Sequence, residues 1–208
     1  RNRQFNFSAD IDADMGGGDF DISGLNASLL GSDISGDIIA SAMNSSAPTI
    51  RGNLNAAGPD LPSLMQLLGQ IQGGADSSLT TYGRQLASMS NKAYTIETRF
   101  DANMTNGDIN IPALSINALG IRINGNLVAN DMQRDNGSIN GQLALSGSQI
   151  GPFLKAIDQA DLGEVMQSIN LSAAINGTRT NLNVSPLDLK LVFAGEQIPN
   201  SPVEMNLS

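Results

Sequence analysis

The sequence contains no cysteine, no histidine and no tryptophan in 208 residues. Without cysteine there is neither a disulfide nor a thiol nucleophile, and redox logic gives no clue to the compartment. Without histidine the commonest general base and metal ligand is missing. Nucleophilic catalysis is then left with serine and lysine, and no local motif joins Lys92, Lys155 or Lys190 to a serine. Basic residues are also few, 11 against 20 acidic ones, for a net charge of −9. They are scattered, which argues against a nucleic-acid partner and, more weakly, against adsorption to anionic membranes. No apolar run approaches the roughly 18 residues needed to span a bilayer. Arg1-Asn2-Arg3-Gln4 leads straight into a strand pattern, unlike a signal peptide. The chain is therefore read as non-enzymatic, with no catalytic residue, metal ligand or cofactor assigned.

What the sequence does have is internal repetition. Met15 and Met104, Asp19 and Asp108, Ile22 and Ile111, Gly31 and Gly120, Ile50 and Ile139 are identical pairs separated by 89 residues. The relation runs without a gap from residues 5–70 to 94–159. Repetition at one period constrains architecture before any other signal. We expect one unit over 1–93 and a second over 94–168. Residues 169–208 should open a third, incomplete copy of something longer, since Asn181-Leu182-Asn183-Val184 reads like Asp108-Ile109-Asn110-Ile111. The units could still form one continuous structural domain.

Within a unit, period-2 alternation marks strands. Phe5, Phe7, Ala9, Ile11, Ala13 and Met15 share one face of a strand expected to be half-buried, and Asp10, Asp12 and Asp14 share the other. Gly16-Gly17-Gly18 and Asn106-Gly107 read as hairpin turns, and the strand after the first is expected to be bent or bulged near Ser23-Gly24. Ile34-Ser35-Gly36-Asp37-Ile38, Ile50-Arg51-Gly52-Asn53-Leu54, Ile123-Asn124-Gly125-Asn126-Leu127 and Ile139-Asn140-Gly141-Gln142-Leu143 repeat one pattern with glycine on the apolar face. Glycine there marks a bend or a close approach. Helices are expected at about 61–71, with Asp60 as N-cap, at about 79–90 and at about 150–158; Leu162, Val165, Met166 and Ile169 suggest a shorter equivalent of the 79–90 helix after the second unit. The fold class expected is mainly β with a few short helices. It would be a tandem repeat forming a curved antiparallel sheet, or a lengthwise-folded groove, with one apolar concave face.

That face is the candidate site. Its expected lining is Ile11, Met15, Ile22, Leu29, Ile34, Gly36, Ile38, Ile50, Gly52 and Leu54 in the first unit. In the second it is Phe100, Met104, Ile111, Ile116, Ile123, Gly125, Leu127, Ile139, Gly141 and Leu143. Aliphatic side chains with inward glycine would make a narrow trough without polar specificity, which suits an acyl chain. The Asp10–Asp14 cluster lacks the glycine of a calcium loop and is not repeated, so a solvated strand face explains it better than a cation site. Asp19 and Asp108 follow turn glycines and are read as turn residues rather than catalytic ones.

Strands with Gly-polar-Leu steps leading through a short Gly/Asp turn into a Leu-rich helix, as in Asn53-Leu54 through Gly58-Pro59-Asp60-Leu61-Pro62-Ser63-Leu64 and again in Gln142-Leu143 through Gly147 to Leu154, resemble the AsmA family of Gram-negative envelope proteins. Asp108 to Ile116 is similar to the family's recurring hairpin, whereas the helix from Leu79 is longer than the family pattern. The resemblance implies a bridge-like lipid carrier in the periplasm. It would be anchored in the inner membrane by a segment outside these residues, binding or moving phospholipid towards the outer membrane and contributing to its assembly. The alternative is a structural β-rich scaffold or adhesin module with a dry core and no lipid. Open sheet edges are expected, with edge-strand dimerisation of the isolated chain as one consequence.

Overall fold

The computed structural model describes residues 5–73, 77–178, 180–193, 196–197 and 205–207. Four long strands come first: β1 (Asn6–Asp14), β2 (Asp19–Leu29), β3 (Ser32–Ser41) and β4 (Thr49–Gly58). Helices α1 (Leu61–Gly73) and α2 (Ser78–Leu86) follow. The order then recurs as β5 (Tyr94–Asn103), β6 (Asp108–Ala118), β7 (Ile121–Asn130) and β8 (Ser138–Ser148), followed by α3 (Gly151–Ala156) and α4 (Ala160–Val165). Strands β9 (Met166–Thr178) and β10 (Leu182–Phe193) and the short β11 (Glu196–Gln197) and β12 (Met205–Leu207) complete the chain. All pairings are antiparallel between chain neighbours from β1 to β11, with β12 also on β10, so one open sheet runs through the molecule.

Three strands carry a bulge at one place in the pattern. Register shifts fall between Ile22 and Leu25 in β2, Ile111 and Leu114 in β6, and Val184 and Leu187 in β10. Each bulge inserts one residue, so in β2 and β6 both flanking aliphatic residues stay on one face. Pro112 sits inside the second bulge, where a missing N–H does least harm to the ladder. Gly24, with φ +59, takes the left-handed conformation in the first.

The turns at one end of the sheet are tied to each other. Asp19 Oδ1 accepts from the Ala42 N–H at 2.6 Å, and Asp108 Oδ1 accepts from the Asp131 N–H at 2.7 Å. The Asn44 amide donates to the Met15 carbonyl at 3.0 Å, and the Gln133 amide to the Met104 carbonyl at 2.7 Å. The turn role of the two aspartates holds, but their bonds reach the next hairpin rather than their own turn. Hydrogen bonds to a charged acceptor contribute about 1.5–3 kcal/mol.

The helices gather at the opposite end, where the tight Leu30-Gly31 and Leu119-Gly120 turns also lie. Both turns have two consecutive residues with positive φ. Leucine is unusual there and costs about 1–2 kcal/mol. At Leu119 the offset is visible: its side chain is buried against Leu86 and Met89, with Leu61, Met65, Phe153 and Ile157 packed around them. Asp60 caps α1 as expected, accepting from the Ser63 N–H at 3.1 Å. Helix α2 ends at Leu86, short of 90, and Met89 reaches the core from a turn instead. Helix α3 covers 151–156 of the expected 150–158. Met166 and Ile169 belong to β9, because ladder pairing, Ile169 with Gly147 of β8 and Met166 with Phe193 of β10, outweighs their helical spacing.

No described helix lies across either face of the sheet; the helices pack on one another and at the strand ends. Burial is correspondingly shallow. The chain exposes 12870 Å², whereas a compact monomer of this mass exposes about 9,200 Å². β1 is an edge strand, and apart from Ala9 its apolar residues are exposed rather than half-buried: Phe7 is 55% accessible and Ile11 66%.

Candidate functional site: an uncovered sheet face

Antiparallel register converts the alternation into continuous transverse rows, because directly paired residues point to the same side. One row runs Ala27, Ile34, Ala56, Ile96, Ile116, Ile123, Leu145, Leu171 and Leu189. The next runs Leu25, Gly36, Leu54, Thr98, Leu114, Gly125, Leu143 and Ala173. Beyond it, Ile11, Ile22, Ile38, Gly52 and Phe100 line up in the first half, and Ile111, Leu127, Gly141 and Ile175 in the second. Ile50 and Ile139 fall in a further row towards the hairpin end, and Leu29 in one beside the helices.

Eighteen of the twenty expected lining residues therefore share one face. Met15 and Met104 do not. They sit in the hairpin tips beyond the strands, both exposed, because the alternation stops where the turn begins.

The glycines have a role that the sequence pattern does not display. Gly36 lies between Leu25 and Leu54, Gly52 between Ile38 and Phe100, Gly125 between Leu114 and Leu143, and Gly141 between Leu127 and Ile175. A Cβ at Gly52 would stand 2.9 Å from the Phe100 ring, and one at Gly125 2.8 Å from Leu143 Cδ2. Neighbouring side chains thus lean over the glycines, and the space expected to form an open trough is partly filled. A Cβ at each of the four would also collide with the backbone carbonyl of Asn53, Asp37, Gln142 or Asn126.

Three hollows among the described residues lie on the opposite, polar face. A depression of about 1080 Å³ spans β3 to β7, bordered by Asp37, Arg51, Asn53, Glu97, Arg99, Asp101 and Asn124. Smaller ones of about 570 and 480 Å³ continue it over β7 to β9, lined by residues such as Gln142, Ser172, Arg122 and Asn170. Concavity was expected on the apolar face. Short Ser, Asn and Asp side chains leave room that rows of Ile, Leu and Phe take up. The polar residues around the large hollow were not singled out from sequence, because alternating Asn, Ser and Asp reads as an ordinary solvated face.

Asp37 is the best-tied of them. Its carboxylate accepts from the Asn53 amide at 3.0 Å and from the Gly24 N–H in the β2 bulge at 3.0 Å. The Asn53 bond, then the Gly24 bond, hold its pKa below the ordinary value of 3.8 against a smaller opposing effect of desolvation. A depressed carboxylate pKa stabilises the fold above the unfolded value, and that stability is lost as pH falls through the folded one. Asp37→Asn is therefore expected to flatten the acid limb of the stability–pH curve below about pH 4. Urea titrations between pH 2 and 7 check this; an unchanged acid limb contradicts it.

No group of three or more acidic, His or Cys residues among the described residues is placed to hold a metal ion. No family model, curated protein or solved structure matches the chain.

Proposed function

We propose that this chain is a non-enzymatic, lipid-binding segment of a cell-envelope protein, its uncovered apolar face receiving the acyl chains of phospholipid. The observation that carries this reading is that aliphatic rows cross the sheet from edge to edge without a covering layer. Apolar sheet faces are ordinarily covered by helices or a second sheet. An apolar patch of more than a few hundred Å² marks an interaction site. Burying one methylene is worth about 0.8 kcal/mol, so an acyl chain of ~16 carbons laid on these rows recovers on the order of 10 kcal/mol gross. A dry-core scaffold needs a second layer that none of the described elements supplies.

The proposal extends to the wider setting. The paired turn bonds and bulges 89 residues apart support reading 1–93 and 94–168 as tandem units, with 169–208 opening a third. Laid end to end, such units lengthen one apolar face, as a conduit requires. Its side would become concave around the ligand when the sheet folds lengthwise. The order of strands and helices supports AsmA-like membership. From that follow a periplasmic location, an inner-membrane anchor outside these residues, and a part in phospholipid movement to the outer membrane and in its assembly.

Native mass spectrometry and lipid extraction of the purified protein test the reading, together with photo-crosslinkers at Ile38, Leu127 and, as an opposite-face control, Asn126. Co-purifying phospholipid with labelling at Ile38 and Leu127 only is expected. Absence of lipid with no labelling at either position would sink it.

A further inference from the structure

Two buried hydroxyl groups sit at the helix end of the apolar face. Ser32 opens β3 and Tyr94 opens β5, and alternation sets both on the side of Ile34 and Ile96. They are 1% and 3% accessible, and neither Ser32 Oγ nor Tyr94 Oη has a hydrogen-bond partner among the described residues. Gly58 lies between them: a Cβ there would collide with the Ser32 side chain and stand 2.8 Å from Tyr94 Cε1. Buried hydroxyls are ordinarily hydrogen-bonded, and one left unmet counts against folding.

The second half of the chain solves the same packing problem without polar atoms. Gly147, 89 residues after Gly58, lies between Ile121 and Ile169, and a Cβ on it would stand 2.6 Å from Ile150 Cγ2. The first half thus keeps two donors at a place the fold can fill with aliphatic side chains, on the same side as the aliphatic rows. No charged side chain among the described residues is buried, so a fully charged phosphate would be poorly compensated there. A neutral acceptor such as an ester carbonyl suits two hydroxyl donors. The two ends of the sheet also differ in charge. From β1 to β8 the hairpin end carries Asp14, Asp19, Asp108, Asp131 and Asp135 against Arg134 alone, a field that repels a phosphate. The helix end of the first half has Arg84 and Lys92 against Asp60, which caps α1.

We propose that a phospholipid lies along the strands of the first half with its glycerol at the helix end, an ester carbonyl oxygen accepting from the Ser32 and Tyr94 hydroxyls. Both oxygens are shut from solvent, so the ester reaches them by displacing neighbouring side chains. The acyl chains run over Ala56, Leu54 and Gly52 towards the acidic hairpin end. From Gly58 to Ile50 the strand offers about 27 Å, ample for a chain that fills half of a bilayer's ~30 Å hydrocarbon core. This orientation rests on the lipid reading and adds to it the end at which the head group sits.

Two phosphatidylcholine probes test it on the full chain, one with a diazirine at the far end of an acyl chain and one with it in the head group. After irradiation, mass spectrometry of the digest should place chain-end adducts in residues 50–54 and 98–102, and head-group adducts in 58–63 and 92–94. A diether analogue, which lacks the carbonyls, should be retained about fivefold less than the diester. Tyr94→Phe or Ser32→Ala should abolish that preference by lowering diester retention alone. Reversed or even labelling, equal retention of diester and diether by the unaltered chain, or a preference that survives both substitutions would each overturn the orientation while leaving the lipid reading standing. Retention of neither lipid would remove the lipid reading and this inference with it.

Discussion

Valine in place of Gly36 or Gly125 should destabilise the protein by about 2–3 kcal/mol per site. Intrinsic preference argues the other way, since valine is favoured over glycine in strands by up to ~1 kcal/mol. Packing decides the sign. A Cβ at Gly36 meets the Asn53 carbonyl and stands 3.2 Å from Leu54 Cα; one at Gly125 meets the Gln142 carbonyl and Leu143 Cδ2. The carbonyls belong to the neighbouring ladder and can move only if the strands part. Gly73→Ala is the control, because among the described residues its Cβ meets only the Ser77 Cβ at 3.4 Å, and it should change stability by no more than about 1 kcal/mol. For a chain of this size the two valine variants correspond to a Tm lowered by about 5–10 °C. Thermal melts in which both melt at or above the parent temperature would refute the tight-approach account of the glycines.

Lysine at Ile38 or Leu127 separates a ligand face from a dry core. Both positions lie in the middle of the aliphatic rows and both are only half-buried. On an uncovered face the lysine stem lies along its neighbours while the ammonium stays in water, so stability should fall by no more than about 1 kcal/mol. Lipid retention should fall about tenfold or more, because a charge left against an acyl chain is poorly solvated. A sealed core reverses the pattern: an unpaired buried charge costs upwards of about 4 kcal/mol and there is no lipid to lose. Denaturant titration read beside quantitative lipid extraction on the same variants distinguishes the two. Large destabilisation without any change in lipid content would discard the carrier reading.

Much of the local structure was legible because it is governed by residues close in sequence. Asp60 caps its helix, and the Ser23-Gly24 irregularity is a bulge. The helix limits were less legible. Met166 and Ile169 have helical spacing, yet partners on β8 and β10 supply a ladder that the local pattern does not reveal. The hydrogen bonds of Asp19 and Asp108 were half legible: the residue type announces a turn, but their acceptor atoms serve backbone 23 residues away.

The sequence by itself determined which side chains within a strand share a face, since strand alternation follows from the order of residues alone. Only the tertiary structure decided that the strands join in one unbroken sheet, that the helices gather at its end, and that the hollows open on the polar side. The physical reason is that alternation assigns a residue to one side of a strand without specifying what lies beyond that side. Covering and curvature depend on packing between distant segments, down to whether a leucine on one strand leans over a glycine on the next.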